Sequence, residues 1–266
     1  MLLAPVVWIL TVLICYFFLG HYFLGTAFWF PPPISEHGLA YDQQFNLTLV
    51  VTGVIFFLAQ VALGWVIFRY RDDGKRANYS HGNNTLEMVW TSATAVLFIG
   101  LVLFGTRIWA AVHFETAPAD ALKIEVSAKQ FAWNFRYAGA DGQFGRTDIK
   151  FINDANGNSF GIDEKDPAGK DDITTASIKV PAGKPILLIL KARDVIHNFF
   201  VRELRLKQDM VPGMEIPFHF KADTIGIYEI ACSELCGLWH HQMHSTLEVM
   251  SEADFEKWKR DQAAQK

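Results

Sequence analysis

The run Cys232-Ser-Glu-Leu-Cys236-Gly-Leu-Trp-His240-His-Gln-Met243 places two thiols, an imidazole and a thioether within twelve residues. Soft thiolate and thioether ligands select copper, zinc or iron–sulfur, and imidazole suits zinc and copper. A fourth strong ligand must come from elsewhere. His197, in Asp194-Val-Ile-His197-Asn-Phe, stands at the start of a run that reads as a strand. Several chemistries compete for this set. The cysteines could close a disulfide in an oxidising compartment, although so short a loop is geometrically tight. Two Cys and two His would fill a zinc tetrahedron, but Met243 would then have no role. A mononuclear blue copper site takes one Cys, two His and a weak axial Met, which leaves the second cysteine idle. Two thiolates bridging two coppers use every group, with one His on each copper and the weak axial positions falling to Met243 and a loop carbonyl. The donor set leads to copper, with zinc as the rival.

Other residues carry weaker signals. Phe131-Ala132-Trp133-Asn134-Phe135-Arg136-Tyr137 alternates with strand period, and its simplest reading is a stripe facing a core. Glu87, in Thr85-Leu-Glu87-Met-Val-Trp90, reads as an acid in a first helical turn, where the macrodipole favours it. His241 and His244 neighbour His240 and read as solvent-facing or supporting imidazoles, because the spacing selects His240. Cys15 lies in an apolar stretch and reads as an inert buried thiol.

The elements that must position these groups follow from an uneven distribution of charge. Of the 266 residues, 1–112 hold five basic and five acidic side chains, whereas 113–266 hold 19 and 23 and carry the whole formal charge of −4. Such a split excludes a single soluble globule and also a polytopic transporter. No basic patch suggests nucleic acid as a partner. Three apolar stretches, about 6–30, 45–68 and 86–112, each exceed the ~20 residues that a membrane-spanning helix needs. Arg69, Arg71, Lys75 and Arg76 follow the second stretch, while 31–44 has no Lys or Arg. The positive-inside rule therefore puts 69–85 in the cytoplasm and delivers everything from 113 onward to the outer face. The first stretch has no basic residue before Pro5 and only a weak cleavage site at Gly25-Thr26-Ala27, so a retained helix is expected rather than a signal peptide.

From Lys123 the pattern changes to short alternating runs separated by Gly, Pro and Asp, which predicts an antiparallel β-sandwich of ~100 residues. Strands are expected in LKIEVSAKQFAWNFRY, ASIKVPAGKPILLILKA, IHNFFVREL, IPFHFKA, IGIYEIAC and TLEVM. The segment 138–172 reads as an acidic, solvated surface insertion, and 251–266 as a short amphipathic helical tail.

With D-V-I-H-N-F before it and K-Q-D-M-V-P-G-M between, the motif C-S-E-L-C-G-L-W-H-H-Q-M resembles subunit II of the haem–copper cytochrome c oxidases. The similarity spans roughly 45–137 and 173–250. It implies an all-β, cupredoxin-like Greek-key sandwich preceded by transmembrane α-helices and bearing a dinuclear copper (CuA) centre. The ligands it implies are His197, Cys232, Cys236, His240, Met243 and the backbone carbonyl of Glu234. The Glu234 side chain matches the family's ligand to magnesium at the contact with subunit I. Phe131 stands where the family has the tryptophan that receives electrons, and Trp133 is the candidate substitute. Glu87 matches a glutamate at the cytoplasmic mouth of a proton path into subunit I.

The organisation the resemblance implies is an N-terminal transmembrane helix or signal with an outer loop (1–44), a transmembrane hairpin (45–112), a periplasmic copper domain (113–250) and a helical tail (251–266). Implied partners are subunit I with its haems and copper, subunit III, membrane lipid, and cytochrome c or a membrane-held cytochrome as donor. The implied place is a bacterial inner (plasma) membrane, with the copper domain outside. The activity would be electron transfer to subunit I for dioxygen reduction and proton pumping. The copper subunit of a nitric oxide reductase, or a non-redox metal-binding or copper-delivery protein, are the alternatives.

Overall fold

The computed structural model describes residues 3–23, 30–72, 74, 76, 79 and 81–264. Gly25-Thr26-Ala27 and the loop residues Asp73 and Lys75 lie outside the described residues. The chain divides into two compact units, one made of 1–31 and 42–109, the other of 32–41 and 110–266.

The first unit is helical. Helix α1 spans Leu3–Phe23, α2 Glu36–Arg69 and α3 Asn84–His113. Both α2 and α3 are long and apolar enough to cross a membrane. Lipid supplies no hydrogen-bond partners, so polar side chains in such helices must satisfy themselves locally. Thr48, Thr52 and Thr106 do so by donating to the carbonyls of Gln44, Thr48 and Val102 at 2.7–2.9 Å. Helix α2 starts well before the apolar stretch at 45, because Ser35 caps it. The Ser35 hydroxyl accepts from Gly38 N at 3.0 Å and its carbonyl from Leu39 N at 3.0 Å.

The second unit is a sandwich of two five-stranded sheets. One sheet holds β1 (Leu122–Lys129), β2 (Ala132–Tyr137), β3 (Ile173–Thr175), β5 (Pro185–Ala192) and β8 (Ile216–Lys221) in the order β3-β2-β1-β5-β8. The other holds β4 (Ile178–Pro181), β6 (His197–Val201), β7 (Leu206–Met210), β9 (Gly226–Cys232) and β10 (His244–Met250) in the order β4-β10-β9-β6-β7. The inner faces meet in a core that includes Val126, Phe135, Leu188, Phe199 and Leu247, all fully buried. A helix α4 (Glu252–Ala263), capped by Ser251, packs Phe255 into this core.

The sandwich departs from the fully antiparallel expectation. Strand β1 pairs with β5 in parallel, and so does β4 with β10. The turn at Pro181-Ala-Gly183 carries the chain from one sheet to the other instead of closing a hairpin. Strands β3 and β7 were not expected. Residues 206–210 read LKQDM, whose polar middle suits an edge strand with one wet face.

The insertion 138–172 is ordered rather than a loose solvated connection. Most of its acids are engaged. Asp154 pairs with Lys129 and Arg193, Asp163 and Asp166 reach Arg146, and Asp172 is buried against Arg136. Arg136 also bonds Glu125 at 2.8 Å, so one guanidinium ties β1, β2 and the insertion together. The rings of Phe144 and Phe160 lie 5.0 and 5.9 Å from its guanidinium carbon.

Candidate metal centre

Three strand ends create the site. Strand β6 begins at His197, β9 ends at Cys232, and β10 begins at His244 after the loop 233–243. Because β6 and β9 are antiparallel neighbours, with Phe199 opposite Cys232, the start of one and the end of the other share one rim of the sandwich. Two backbone bonds pin the loop: Cys232 N to Met243 O at 3.2 Å and Ser233 N to Asn198 O at 3.1 Å.

At this rim the donors converge. The Cys232 and Cys236 sulfurs are 3.9 Å apart, and both are free thiols, which sets the disulfide aside. Each sulfur has its own imidazole: Cys232 lies 3.9 Å from His197 Nδ1, and Cys236 lies 3.5 Å from His240 Nδ1. Each also has one weaker neighbour, the Glu234 carbonyl at 3.2 Å from Cys232 and the Met243 sulfur at 3.8 Å from Cys236. His197, Cys232, Cys236 and Met243 are buried, and His240 is half-buried. Among the described residues, His197, Cys232 and Cys236 form the one group of three or more Cys, His, Asp or Glu ligand atoms within 4.8 Å. The set has two-fold character, with one thiol, one imidazole and one weak donor on each side. Buried soft donors so arranged fit copper.

The electrostatics prepare one of the two thiols to lose its proton. Burial opposes ionisation of Cys232, but hydrogen bonds with His197, with the Asn198 and Glu234 backbone and with Cys236 outweigh it and pull the thiol below its usual range. Burial and the charge of Cys232 push Cys236 the other way, as expected for two thiols that cannot both ionise cheaply without a cation between them.

A supporting layer holds the donors. Asp194 Oδ1 lies 2.9 Å from His197 Nε2, which turns Nδ1 toward the sulfur. Asp194 is itself fixed by Gln130 N at 2.7 Å and Val195 N at 2.8 Å. The Gln130 side chain donates to the Cys236 carbonyl, and the Trp133 indole donates to Met243 O at 3.3 Å. Gly237 has φ +138°, and a Cβ there would meet Gln130 Nε2 at 2.8 Å and the Phe131 ring at 3.1 Å, so glycine is required. Neither Gln130 nor the orienting role of Asp194 was expected from sequence. An Asp three residues before a ligand His is a local signal that could have revealed the second; no local signal marks Gln130.

The remaining candidates fall in different places. Trp133 is 3% exposed, beneath the site, with its ring 6.5 Å from His197 and 5.9 Å from Phe199. Phe131 is half-buried against the core and beside Gly237. The Glu234 side chain is exposed, as are His241 and His244. His244 pairs with Glu229 at 2.8 Å and is no part of the donor cluster. Glu87 lies in the first turn of α3, in the helical unit, after the capping residue Asn83.

Residues 122–250 match the family described as "Cytochrome C oxidase subunit II, periplasmic domain". A relative from Bradyrhizobium diazoefficiens, named "Alternative cytochrome c oxidase subunit 2", is 34% identical over 233 residues, covering 86% of this chain and 83% of the relative. One from Thermostichus vulcanus, named "Cytochrome c oxidase subunit 2", is 30% identical, covering 88% and 78%. Among solved structures, the periplasmic domain of subunit II of cytochrome oxidase from Bradyrhizobium japonicum covers 56% of this chain and 99% of its own, with 24% identity and a TM-score of 0.40.

Proposed function

We propose, for a chain that belongs to the cytochrome c oxidase subunit II family, that the cluster at 197 and 232–243 is a dinuclear copper centre and the point at which electrons pass into the oxidase. The protein is the membrane-bound subunit of an oxidoreductase complex, and the reduction of dioxygen belongs to its partner, subunit I. His197, Cys232, Cys236, His240, Met243 and the Glu234 carbonyl would hold the metal. When bound, copper supplies a one-electron couple between a cytochrome c-type donor outside the membrane and the haem of subunit I. The observation that carries this reading is the pair of buried sulfurs 3.9 Å apart, each with its own imidazole.

The chain's own residues make that chemistry fast by staying still. An electron-transfer site works best when its geometry barely changes between redox states. Asp194 keeps the His197 ring from turning, Gln130 holds the carbonyl of Cys236, and Trp133 holds the backbone of Met243. Buried apolar neighbours such as Phe199 and Met210 exclude water from the sulfurs and so tune the potential.

The surroundings extend the proposal. The exposed Glu234 carboxylate is the group placed to hold magnesium at the face turned to subunit I. Phe131 and Trp133 mark the side on which electrons arrive, with Trp133 joined directly to the loop through Met243 O. Glu87 would lie at the mouth of a proton path on the cytoplasmic side of a bacterial inner membrane, with the sandwich in the periplasm. Subunit III and the lipid bilayer complete the assembly. Purified chain should take up two copper ions, and Cys232→Ser or Cys236→Ser should abolish this without unfolding the sandwich. One ion per chain, or zinc retained in preference to copper, would contradict the reading.

A further inference from the structure

Outside the copper ligands, two imidazoles, one from the start of α2 and one from β8, face each other. Helix α2 begins with Glu36-His37, and β8 carries His219. Alternation along β8 buries Phe218 and Phe220 in the core and turns His219 out of it. The His37 and His219 rings meet with centroids 5.9 Å apart and planes at 82°. Among the described residues, neither ring has a hydrogen bond or ion pair to another side chain or to backbone. This sets them apart from His197, His240 and His244, each of which has at least one ring nitrogen beside a polar or sulfur partner.

The juxtaposition is built rather than incidental. Ile34 N donates to Glu203 O at 3.0 Å and Asp223 N to Ile34 O at 2.8 Å, while Ser35 forms a bridge with Ala222. Ile34 and Val112 are buried in the sandwich core, so the residues leading into α2 and the last turn of α3 are both anchored there. His113 and Glu115 come close enough to bear on the charge of His219, the histidine opposing its protonation and the glutamate favouring it. Burial above all, with the nearby His37 and His113 beside it, holds His219 below the usual histidine range, which leaves a neutral imidazole able to donate a lone pair.

We propose that His37 and His219 bind a divalent transition-metal ion of the zinc class, as a site separate from the copper centre. Imidazole is the commonest side-chain ligand for such ions, and two rings whose nitrogens lack protein partners supply two ligands at once. Solvent completes the shell, and the carboxylate of Glu115 offsets part of the ion's charge. The ion ties the first turn of α2 to β8.

The test is calorimetric titration of zinc chloride into the full chain in detergent micelles, with the copper ligands removed by Cys232→Ser and Cys236→Ser so that no thiol competes. One zinc per chain is expected, and His37→Gln or His219→Gln, each added to that background, should weaken it by about tenfold or more. Near-ultraviolet dichroism checks that the sandwich persists in each variant. Zinc uptake unaffected by either histidine change, or no uptake once the cysteines are gone, would overturn the proposal. Because this background lacks the copper ligands, the result stands apart from the fate of the copper reading.

Discussion

Asp194 acts through His197. Its carboxylate lies 2.9 Å from His197 Nε2 and holds the other ring nitrogen toward Cys232. Partners of this kind typically contribute ~10–100-fold to metal affinity. Asp194→Asn should therefore keep the copper colour but lower copper affinity within that range, measured by competition with a chelator. Unchanged affinity would show that the ring is held by packing alone. At this scale the ligands were legible, because Cys232, Cys236, His240 and Met243 are close in sequence and chemically unusual together. Gln130 was not. Its bond to the Cys236 carbonyl joins positions 130 and 236, and no local pattern announces such a pairing.

At the scale of elements, Arg136 decides whether the insertion stays attached. It is 1% exposed and bonds Asp172, Glu125 and the Gly145 carbonyl. Breaking a buried ion pair from one side leaves a charge without compensation and costs about 3–5 kcal/mol. Asp172→Ala should lower stability by that order in a chemical unfolding series, whereas Glu164, exposed on the same insertion, should tolerate alanine. The ion pairs of Asp154 with Lys129 and Arg193 act near the surface. They hold its carboxyl well below the usual carboxylate range. A depressed carboxyl contributes stability that is present above its unfolded value of ~3.9 and fades as pH falls through the folded one. Exposure screens the effect to less than ~1 kcal/mol. Proteolysis of the 138–172 segment should therefore accelerate slightly below pH 4, and Asp154→Asn should remove that acid dependence. Acid sensitivity unchanged in Asp154→Asn would assign it to other carboxylates. Strand content was legible from alternation and turns, but the parallel pairing of β1 with β5 was not, since sheet order is set by packing across the core.

For the whole molecule, the division of charge matches the division of structure. Among the described residues, most of the exposed large apolar side chains belong to the helices of one unit, and most of the charged residues and all the candidate metal ligands belong to the other. Charge counting revealed this division, but it missed that most acids of the insertion are engaged within the chain. The central claim is that two coppers share the donors of one loop and one strand. Copper-loaded protein comprising residues 113–266 should be purple, and its paramagnetic resonance spectrum should show hyperfine splitting from one electron shared equally by two copper nuclei. Splitting from a single copper nucleus, or a colourless protein that binds zinc instead, would contradict it.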